Sequence, residues 1–229
     1  MFIALENIIF GKRKECRFDT STTSHMFILP GMLGPVNRVF SLVNYLQKQQ
    51  SQYAITAIPL GLSTADFQKI VQTAQANINK NLLSKIKVEE IILFGHSHGG
   101  RIACALLESL SSTLPQVSLS VITAATPIVE KPKNLSWYRK IFYYLLSRAF
   151  RQWPQVNQPR VGNNSVKKYI GYYSGTDKVV NSESAKLGHR GNLYELEQFS
   201  HTDFIRDRKM GPILVSLLKK EFATGVKIQ

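Results

Sequence analysis

The residue in this sequence whose surroundings most clearly suit catalysis is a serine near glycines. It is Ser97, within the pattern Gly-His-Ser-His-Gly-Gly at positions 95–100. A serine hydroxyl attacks an acyl carbon when a nearby base removes its proton, and the oxyanion that forms needs N–H donors. Such a site requires a base, an acid that orients the base, and N–H donors for the oxyanion. The same pattern can also be a glycine-rich turn with an idle serine, so the flanking sequence has to decide.

The residues around Ser97 predict a strand, a tight turn and a helix. A mostly apolar run at 88–94 fits a strand buried on both faces of a parallel sheet, and the Ala/Leu-rich segment 101–108 has helical spacing. Ser97 would then lie at the bend, with its Oγ raised above the sheet. The amide of His98, at the start of the helix, would be one oxyanion donor because first-turn N–H groups have no intrahelical acceptor.

Length and composition favour one globular domain. The chain has 229 residues, 44% hydrophobic and 19% charged, which excludes a disordered chain and allows one substantial core. Its two cysteines have no metal-ligand spacing, and we expect structural thiols of a reducing compartment. The start lacks a signal-peptide pattern, and no apolar run reaches the roughly 18 residues that span a bilayer. We therefore expect a cytoplasmic protein, with peripheral membrane attachment left open, and no cofactor or metal ion.

The formal net charge of +14 is concentrated in one part of the chain. No acidic residue lies between Glu130 and Asp177, whereas nine lysines and arginines do. Within 137–153, aromatic residues recur at helical spacing beside basic ones, which is typical of a helix at an anionic membrane surface. The alternative for 131–160 is a cap that packs its aromatic face over a site. No nucleic-acid-binding motif accompanies the charge, so we expect no nucleic-acid partner.

Hydrophobic periodicity predicts alternating strands and helices. The predicted strands are 2–10, 16–20, 25–29, 53–58, 88–94, 117–125, 167–175 and 193–196, and the predicted helices are 36–50, 65–83, 101–108 and a terminal helix after 204. The first two strands would form an antiparallel edge, and Ser63 or Thr64 would cap the helix 65–83. Such alternation produces a parallel sheet, whose strand ends carry ligand-binding loops. Leu60 and Leu62 follow one strand, where they either line a substrate pocket or pack ordinarily.

Together these features resemble the α/β-hydrolase superfamily, and the pattern at 95–100 resembles the nucleophile elbow of bacterial lipases and esterases. The resemblance implies the α/β-hydrolase fold, a mostly parallel central sheet with helices on both faces and a helical cap or lid insertion. We expect residues 1–229 to form a single domain, with 128–165 as the basic, aromatic insertion. A Thr-Pro pair at 126–127, similar to the one before the lid of bacterial lipases, precedes it.

The resemblance also implies the partners of Ser97. In the superfamily the order is Ser, Asp, His, and the acid follows a late strand and precedes a Val-Val pair and a helix, which fits Asp177. The base is then His201, after the last strand. Glu183 remains the alternative acid. His189 lies too close behind Asp177 to follow a further strand.

The loop after the strand 25–29 is implied to carry the second oxyanion donor. By resemblance to the lipase pattern His-Gly-x-x-Gly, that donor is the backbone N–H of Met32, although Pro30 stands where the pattern has histidine. The substrate-binding residues that we assign are Gly31, Leu33, Leu60 and Leu62. Some bacterial lipases bind calcium through an aspartate at the position of Asp203, but their second carboxylate has no equivalent here, so we expect no such site.

The resemblance implies a serine hydrolase that cleaves carboxylic esters, with lipid or acyl esters as the substrates. The lipid part depends on the insertion, because 131–160 could meet an anionic membrane surface. A thioesterase or amidase with the same triad stays open, since leaving-group preference depends on pocket shape. A non-catalytic lipid- or protein-binding module on the same scaffold also stays open, although an intact triad argues against it.

Overall fold

A computed structural model describes residues 22–31, 36–50, 52–60, 66–83, 87–128, 156, 166–187 and 189–222. Within these residues, strands and helices alternate along the chain. The strands are β1 Ser24–Leu29, β2 Tyr53–Ala57, β3 Glu90–His96, β4 Ser118–Ala124, β5 Val166–Tyr173 and β6 Asn192–Glu195. The helices are α1 Val36–Gln49, α2 Phe67–Leu82, α3 His98–Thr113, α4 Ser182–Lys186 and α5 Asp207–Glu221, with a short 3₁₀ helix at Asp203–Ile205.

The described strands lie parallel in one sheet, in the order β2-β1-β3-β4-β5-β6. Parallel neighbours need crossover connections, which the predicted alternation of strands and helices supplies. The chain moves outward from β1 to β2 and then in the opposite direction from β3 to β6. The order therefore reverses beside β1 and β3, where Leu29 is paired with Gly95. The loop after β1 and the bend after β3 leave the sheet side by side, at the kind of position where such sheets bind ligands.

Side-chain alternation along the strands divides the core into two layers. On one face, residues such as Phe27 and Leu93 pack against α2 and α3. On the other face, residues such as Met26 and Ile92 pack against α1 and α5. Successive strand side chains point to opposite faces, so apolar runs like those of β1 and β3 need helices on both sides. The predicted parallel sheet with helices on both faces is thereby confirmed, whereas the predicted cap insertion stays a prediction.

One predicted helix boundary is wrong. The helix expected at 65–83 begins at Phe67, and its N-cap is Asp66 rather than Ser63 or Thr64. The Asp66 carboxylate accepts a hydrogen bond from the Lys69 amide at 2.8 Å. Serine, threonine and aspartate are all good N-caps, and a carboxylate gains further from the positive end of the helix dipole.

Several predictions fall outside the described residues. These include the strands 2–10 and 16–20, Cys16, and nearly all of the insertion 128–165. Of that insertion the structure describes Ile128, which is buried, and Val156, which is partly buried, and both pack on the α2–α3 side of the sheet. Among the helices in the described ranges, none is long and apolar enough to cross a membrane.

The other cysteine, Cys104, lies on α3 inside the core. Its sulfur is 3.8 Å from the hydroxyl of Tyr169, and burial raises the pKa of the thiol to about 12. A thiol that is buried and protonated at neutral pH is a poor nucleophile, in keeping with the structural role expected of it.

Candidate active site

Ser97 occupies a strained bend between β3 and α3. Its backbone has φ 53° and ψ −123°, a conformation that is costly for a residue with a side chain. Two backbone hydrogen bonds hold it: the Ser97 amide donates to the Ala124 carbonyl at 2.8 Å, and the Ser97 carbonyl accepts from the Gly100 amide at 3.0 Å. The neighbouring strand and the new helix thus both keep the serine in place.

Glycines surround Ser97 because the backbone segments approach too closely for side chains. A Cβ on Gly95 would collide with the backbone of Gly100, and one on Gly99 would collide with the carbonyl of Leu29. A Cβ on Gly100 would collide with Thr126, which follows β4. Glycine is therefore required at these positions, because α3 passes very close to the ends of its neighbouring strands.

Asp177 and His201, from the ends of different strands, meet at this edge of the sheet. Asp177 follows β5 and His201 follows β6, and Oδ2 of the aspartate lies 2.8 Å from Nδ1 of the histidine. The Asp177 side chain is 1% exposed and that of His201 is 15% exposed. A carboxylate at this distance holds the proton on Nδ1 of a neutral imidazole, which leaves Nε2 as an acceptor.

The second oxygen of Asp177 is bound by the backbone of the Val-Val pair that follows it. Oδ1 accepts hydrogen bonds from the amides of Val179 at 2.7 Å and Val180 at 3.0 Å. These donors come from the backbone, so the side chains at 179 and 180 serve packing instead: Val180 is buried in a small cluster with Tyr173. The carboxylate is oriented by one oxygen and presents the other to His201.

His96, directly before Ser97, is buried at the end of β3. Its Nε2 donates to the backbone carbonyl of His201 at 2.9 Å, and the two ring centroids lie 4.7 Å apart at 48°. Burial, and then the nearby His201, hold the pKa of His96 well below its ordinary value. No local pattern in the sequence signals this contact, because His96 and His201 are 105 residues apart.

The side chain of His98 is also buried, among side chains of α2 and α3. Its ring meets that of Phe67 edge-on at 5.7 Å between centroids, and the buried guanidinium of Arg101 lies 5.2 Å from the same phenyl centroid. Burial, followed by the charge of Arg101, lowers the pKa of His98 to about 3. The backbone of His98 begins α3, while its ring belongs to the core.

Asp203 is a buried carboxylate whose structural role was not predicted from the sequence. Its Oδ2 accepts from the Ser200 amide at 2.9 Å, the Ser200 hydroxyl at 2.7 Å and Lys209 Nζ at 2.8 Å, and Arg206 lies 3.0 Å from Oδ1. Burial alone would raise the pKa of Asp203, but the bonds from Lys209 and Ser200 lower it to about 2. A serine three residues before an aspartate is the local signal that could have identified this anchor of the His201 loop.

The remaining assigned residues fall into two groups. Gly31 is buried beside the elbow, and a Cβ added to it would lie 3.0 Å from Ser97 Cβ. Leu60 is partly buried and packs against the core that includes Phe67. Met32, Leu33 and Leu62 lie outside the described residues.

Glu183 and His189, the alternatives to Asp177 and His201, have other surroundings in the structure. Glu183 is exposed on α4, whereas Asp177 holds His201. His189 packs on the ring of Tyr169 at 4.1 Å, and its Nδ1 accepts from the Gly191 amide at 3.2 Å. In the part of the chain that the structure describes, no three metal-ligating side chains are grouped to hold a metal ion.

Comparison with solved structures reveals the same fold in several hydrolases. A lipase of Bacillus licheniformis in its mature form is 17% identical, with a TM-score of 0.64 over 91% of this chain and 96% of that chain. A thioesterase from the prodiginine biosynthetic pathway of Streptomyces coelicolor is 11% identical, with a TM-score of 0.60 over 94% and 99%. Polyneuridine aldehyde esterase is 13% identical, with a TM-score of 0.55 over 87% and 100%. At these identities the likeness concerns the fold alone.

Comparison of the sequence with known proteins and families gives two results. A search of curated proteins finds no significant match. A family model described as the alpha/beta hydrolase fold matches residues 24–212, from the first strand of the sheet into the terminal helix. This match spans well over half of the 229 residues and includes Ser97, Asp177 and His201. The chain therefore belongs to the α/β-hydrolase family, and its fold is that of a hydrolase acting on a small-molecule substrate.

Proposed function

We propose that this protein is a serine hydrolase that cleaves carboxylic esters, with Ser97 as nucleophile, His201 as base and Asp177 as acid. The observation that carries the proposal is the 2.8 Å contact between Asp177 Oδ2 and His201 Nδ1, at the edge of the sheet where Ser97 is held in its strained bend. Ser97, Asp177 and His201 follow the carboxyl ends of three different strands of the parallel sheet, which brings them to the same side of it. Such an arrangement is typical of an active site.

In the proposed reaction, the base and the nucleophile act together. His201 Nε2 takes the proton of Ser97 Oγ as Oγ bonds to the ester carbonyl carbon, and Asp177 stabilises the imidazolium that forms. The imidazolium then gives that proton to the departing alcohol, which leaves an acyl-Ser97. His201 then deprotonates a water molecule as it attacks the acyl carbon, and the imidazolium returns that proton to Ser97 Oγ as the acid is released.

The oxyanion formed in each step needs two N–H donors. The amide of His98 lies at the start of α3, where the helix dipole also favours negative charge. The second proposed donor, the amide of Met32, directly follows Gly31, which contacts the elbow. The closeness of Gly31 to Ser97 supports placing the second donor in this loop.

Lipid or acyl esters are the substrates that we propose within this class. The basis is the sequence of 131–160, whose aromatic and basic residues suit an anionic lipid surface, in a single domain with 128–165 as its cap. Each Lys or Arg near such a surface contributes about 1 kcal/mol. Replacing Lys140, Arg148 and Arg151 with Gln should therefore abolish the preference for anionic over neutral vesicles and leave turnover of a soluble short ester intact. Equal vesicle binding by both proteins would leave a soluble esterase.

A chain-length series of p-nitrophenyl esters tests the reaction class. Acyl thioesters and anilides of matched length run beside it, with the Ser97→Ala protein as control and a fluorophosphonate probe to count reactive serines. Labelling of the wild type, no labelling of Ser97→Ala, and ester turnover above that of the other acyl donors would support the proposal. Preferred thioester turnover would instead indicate a thioesterase. A wild type that neither labels nor turns over would indicate a non-catalytic module.

A further inference from the structure

His96 is a buried histidine that the proposed reaction does not use. It is the last residue of β3, and its peptide bond to Ser97 couples its backbone position to that of the nucleophile. Only 3% of the residue is exposed. Burying a polar ring costs free energy unless its polar atoms make hydrogen bonds, so the contacts of this imidazole need an explanation.

One edge of the His96 ring contacts the base. The Nε2 atom lies 2.9 Å from the backbone carbonyl of His201. A carbonyl can only accept, so Nε2 carries the proton and Nδ1 is bare in the neutral ring. The face of the ring lies against the imidazole of His201, 4.7 Å away between centroids. His96 therefore contacts both the main chain and the side chain of the base.

The opposite edge of the ring faces Gly31, which follows β1. A Cβ on Gly31 would lie 3.0 Å from His96 Nδ1 and 3.3 Å from the His96 carbonyl oxygen. Nδ1 makes no hydrogen bond to any residue that the structure describes. The ring thus lies between His201 on one side and Gly31 on the other, with Ser97 next to it in the chain.

We propose that His96 is a positioning residue that holds the main chain of His201 and the loop at Gly31 in register with Ser97. This inference rests on the proposed function, because positioning matters only if Ser97 and His201 react. A neutral ring also suits the chemistry. During turnover His201 becomes an imidazolium, and a second cation 4.7 Å away would oppose it. Burial and the proximity of His201 both lower the pKa of His96 and keep it neutral.

Two amide substitutions separate the donor at Nε2 from the rest of the ring. The amide nitrogen of glutamine reaches the place of Nε2, whereas that of asparagine reaches only the place of Nδ1. His96→Gln should retain most of the activity. His96→Asn should lose about 100-fold in kcat, the effect expected when a catalytic group shifts by about 1 Å. KM should change little between the two variants, because the hydrogen bond in which they differ is to His201, which acts in the chemical step. Rates are expressed per serine titrated with a fluorophosphonate, so unfolded protein does not contribute.

A measurement on the wild type does not depend on the folding of any variant. Nitrogen-15 correlation spectra of the ring should show His96 as the neutral tautomer protonated on Nε2 at pH 7. A tautomer protonated on Nδ1, or a charged ring, would overturn the proposal. So would equal kcat in the two amide variants, which would mean that the ring only fills space. A wild type in which the probe labels no serine would overturn the proposed function itself, a result that these variants cannot mimic.

Discussion

Asp177 and Asp203 are two buried aspartates on neighbouring loops, and their carboxylates have opposite kinds of partners. Asp177 is held by backbone amides on one oxygen and meets His201 with the other. Asp203 is surrounded by Ser200, Lys209 and Arg206. Both side chains are nearly inaccessible to solvent, 1% and 4% exposed.

The difference shows that burial of a carboxylate does not identify its role, whereas the chemistry of its donors does. Neutral amides orient Asp177 and leave its charge available to an imidazolium. The two cations beside Asp203 neutralise its charge within the loop, so its contribution is to hold together the segment from Ser200 to α5. We therefore expect changes at Asp177 to act on catalysis and changes at Asp203 to act on stability.

The largest expected effect tests the catalytic half of this comparison. Asp177→Asn should lower kcat by about 10⁴-fold, because the new amide donates to His201 Nδ1 and forces the proton onto Nε2, the wrong tautomer. The melting temperature should change little, since the side-chain oxygen can still accept from the amides of Val179 and Val180. Activity and thermal melting of the same preparation check both parts. A nearly active Asp177→Asn together with an inactive Glu183→Gln would show that the acid is misassigned.

If Asp203 has a structural role, replacing it should make the protein less stable. Asp203→Ala should lower the free energy of unfolding by about 3 kcal/mol, because the donors of Ser200 and Lys209 lose a charged acceptor. For a chain of this size that corresponds to a fall of about 6 to 12 °C in melting temperature.

The matched control is Asp207→Asn, six residues after His201 and at the start of α5. It loses one favourable interaction with the helix dipole, so we expect a change of about 0.5 kcal/mol. Urea unfolding at pH 7 measures both variants. A stable Asp203→Ala that has instead lost turnover would reverse the roles that we give the two aspartates.

Carboxylates and buried histidines should affect the stability of the protein in different pH ranges. With a pKa of about 2, Asp203 keeps its contribution above the ordinary aspartate range and loses it only in strong acid. His98 has a folded pKa of about 3 and an ordinary value of 6.5, so below pH 6.5 the unfolded chain binds a proton that the folded chain excludes. Stability should therefore fall as the pH drops from 6.5 towards 3, by about 2 kcal/mol at pH 5 from His98 alone.

Urea unfolding at pH 8 and pH 5 measures this loss. His98→Gln should show a smaller difference between the two pH values than the wild type, because one of the buried imidazoles is gone. His96, whose pKa is also lowered, should account for part of what remains. An unchanged difference in His98→Gln would mean that other groups cause the acid sensitivity.

The smallest expected effect is that of chelation. The carboxylate of Asp203 occupies the sequence position of a lipase calcium ligand, but Oδ2 accepts from Ser200 and Lys209, and Arg206 lies beside Oδ1. Activity and melting temperature should therefore be the same, within error, before and after treatment with EDTA. Loss of activity that calcium restores would show that the cations beside Asp203 give way to a metal ion.

The fold and the elbow were largely predictable because they depend on local patterns. Apolar runs that alternate with amphipathic segments require a parallel sheet covered on both faces, and the glycines around Ser97 indicate a close crossing of strand and helix. Asp177 and His201 were identified through the order of residues in a family rather than through geometry. Their meeting across 24 residues of chain depends on β5 and β6 being neighbours, which periodicity does not specify.

The sequence by itself determined the order of strands and helices along the chain, the two-sided core and the bend at Ser97, since these follow from short-range spacing and backbone sterics. Only the tertiary structure decided which strands are neighbours, that Asp66 caps α2, that Asp203 anchors the His201 loop, and that His96 reaches the carbonyl of His201 across 105 residues. Contacts of this kind depend on the order of strands in the sheet. That order is selected by the packing of the whole core, which no local window of sequence contains.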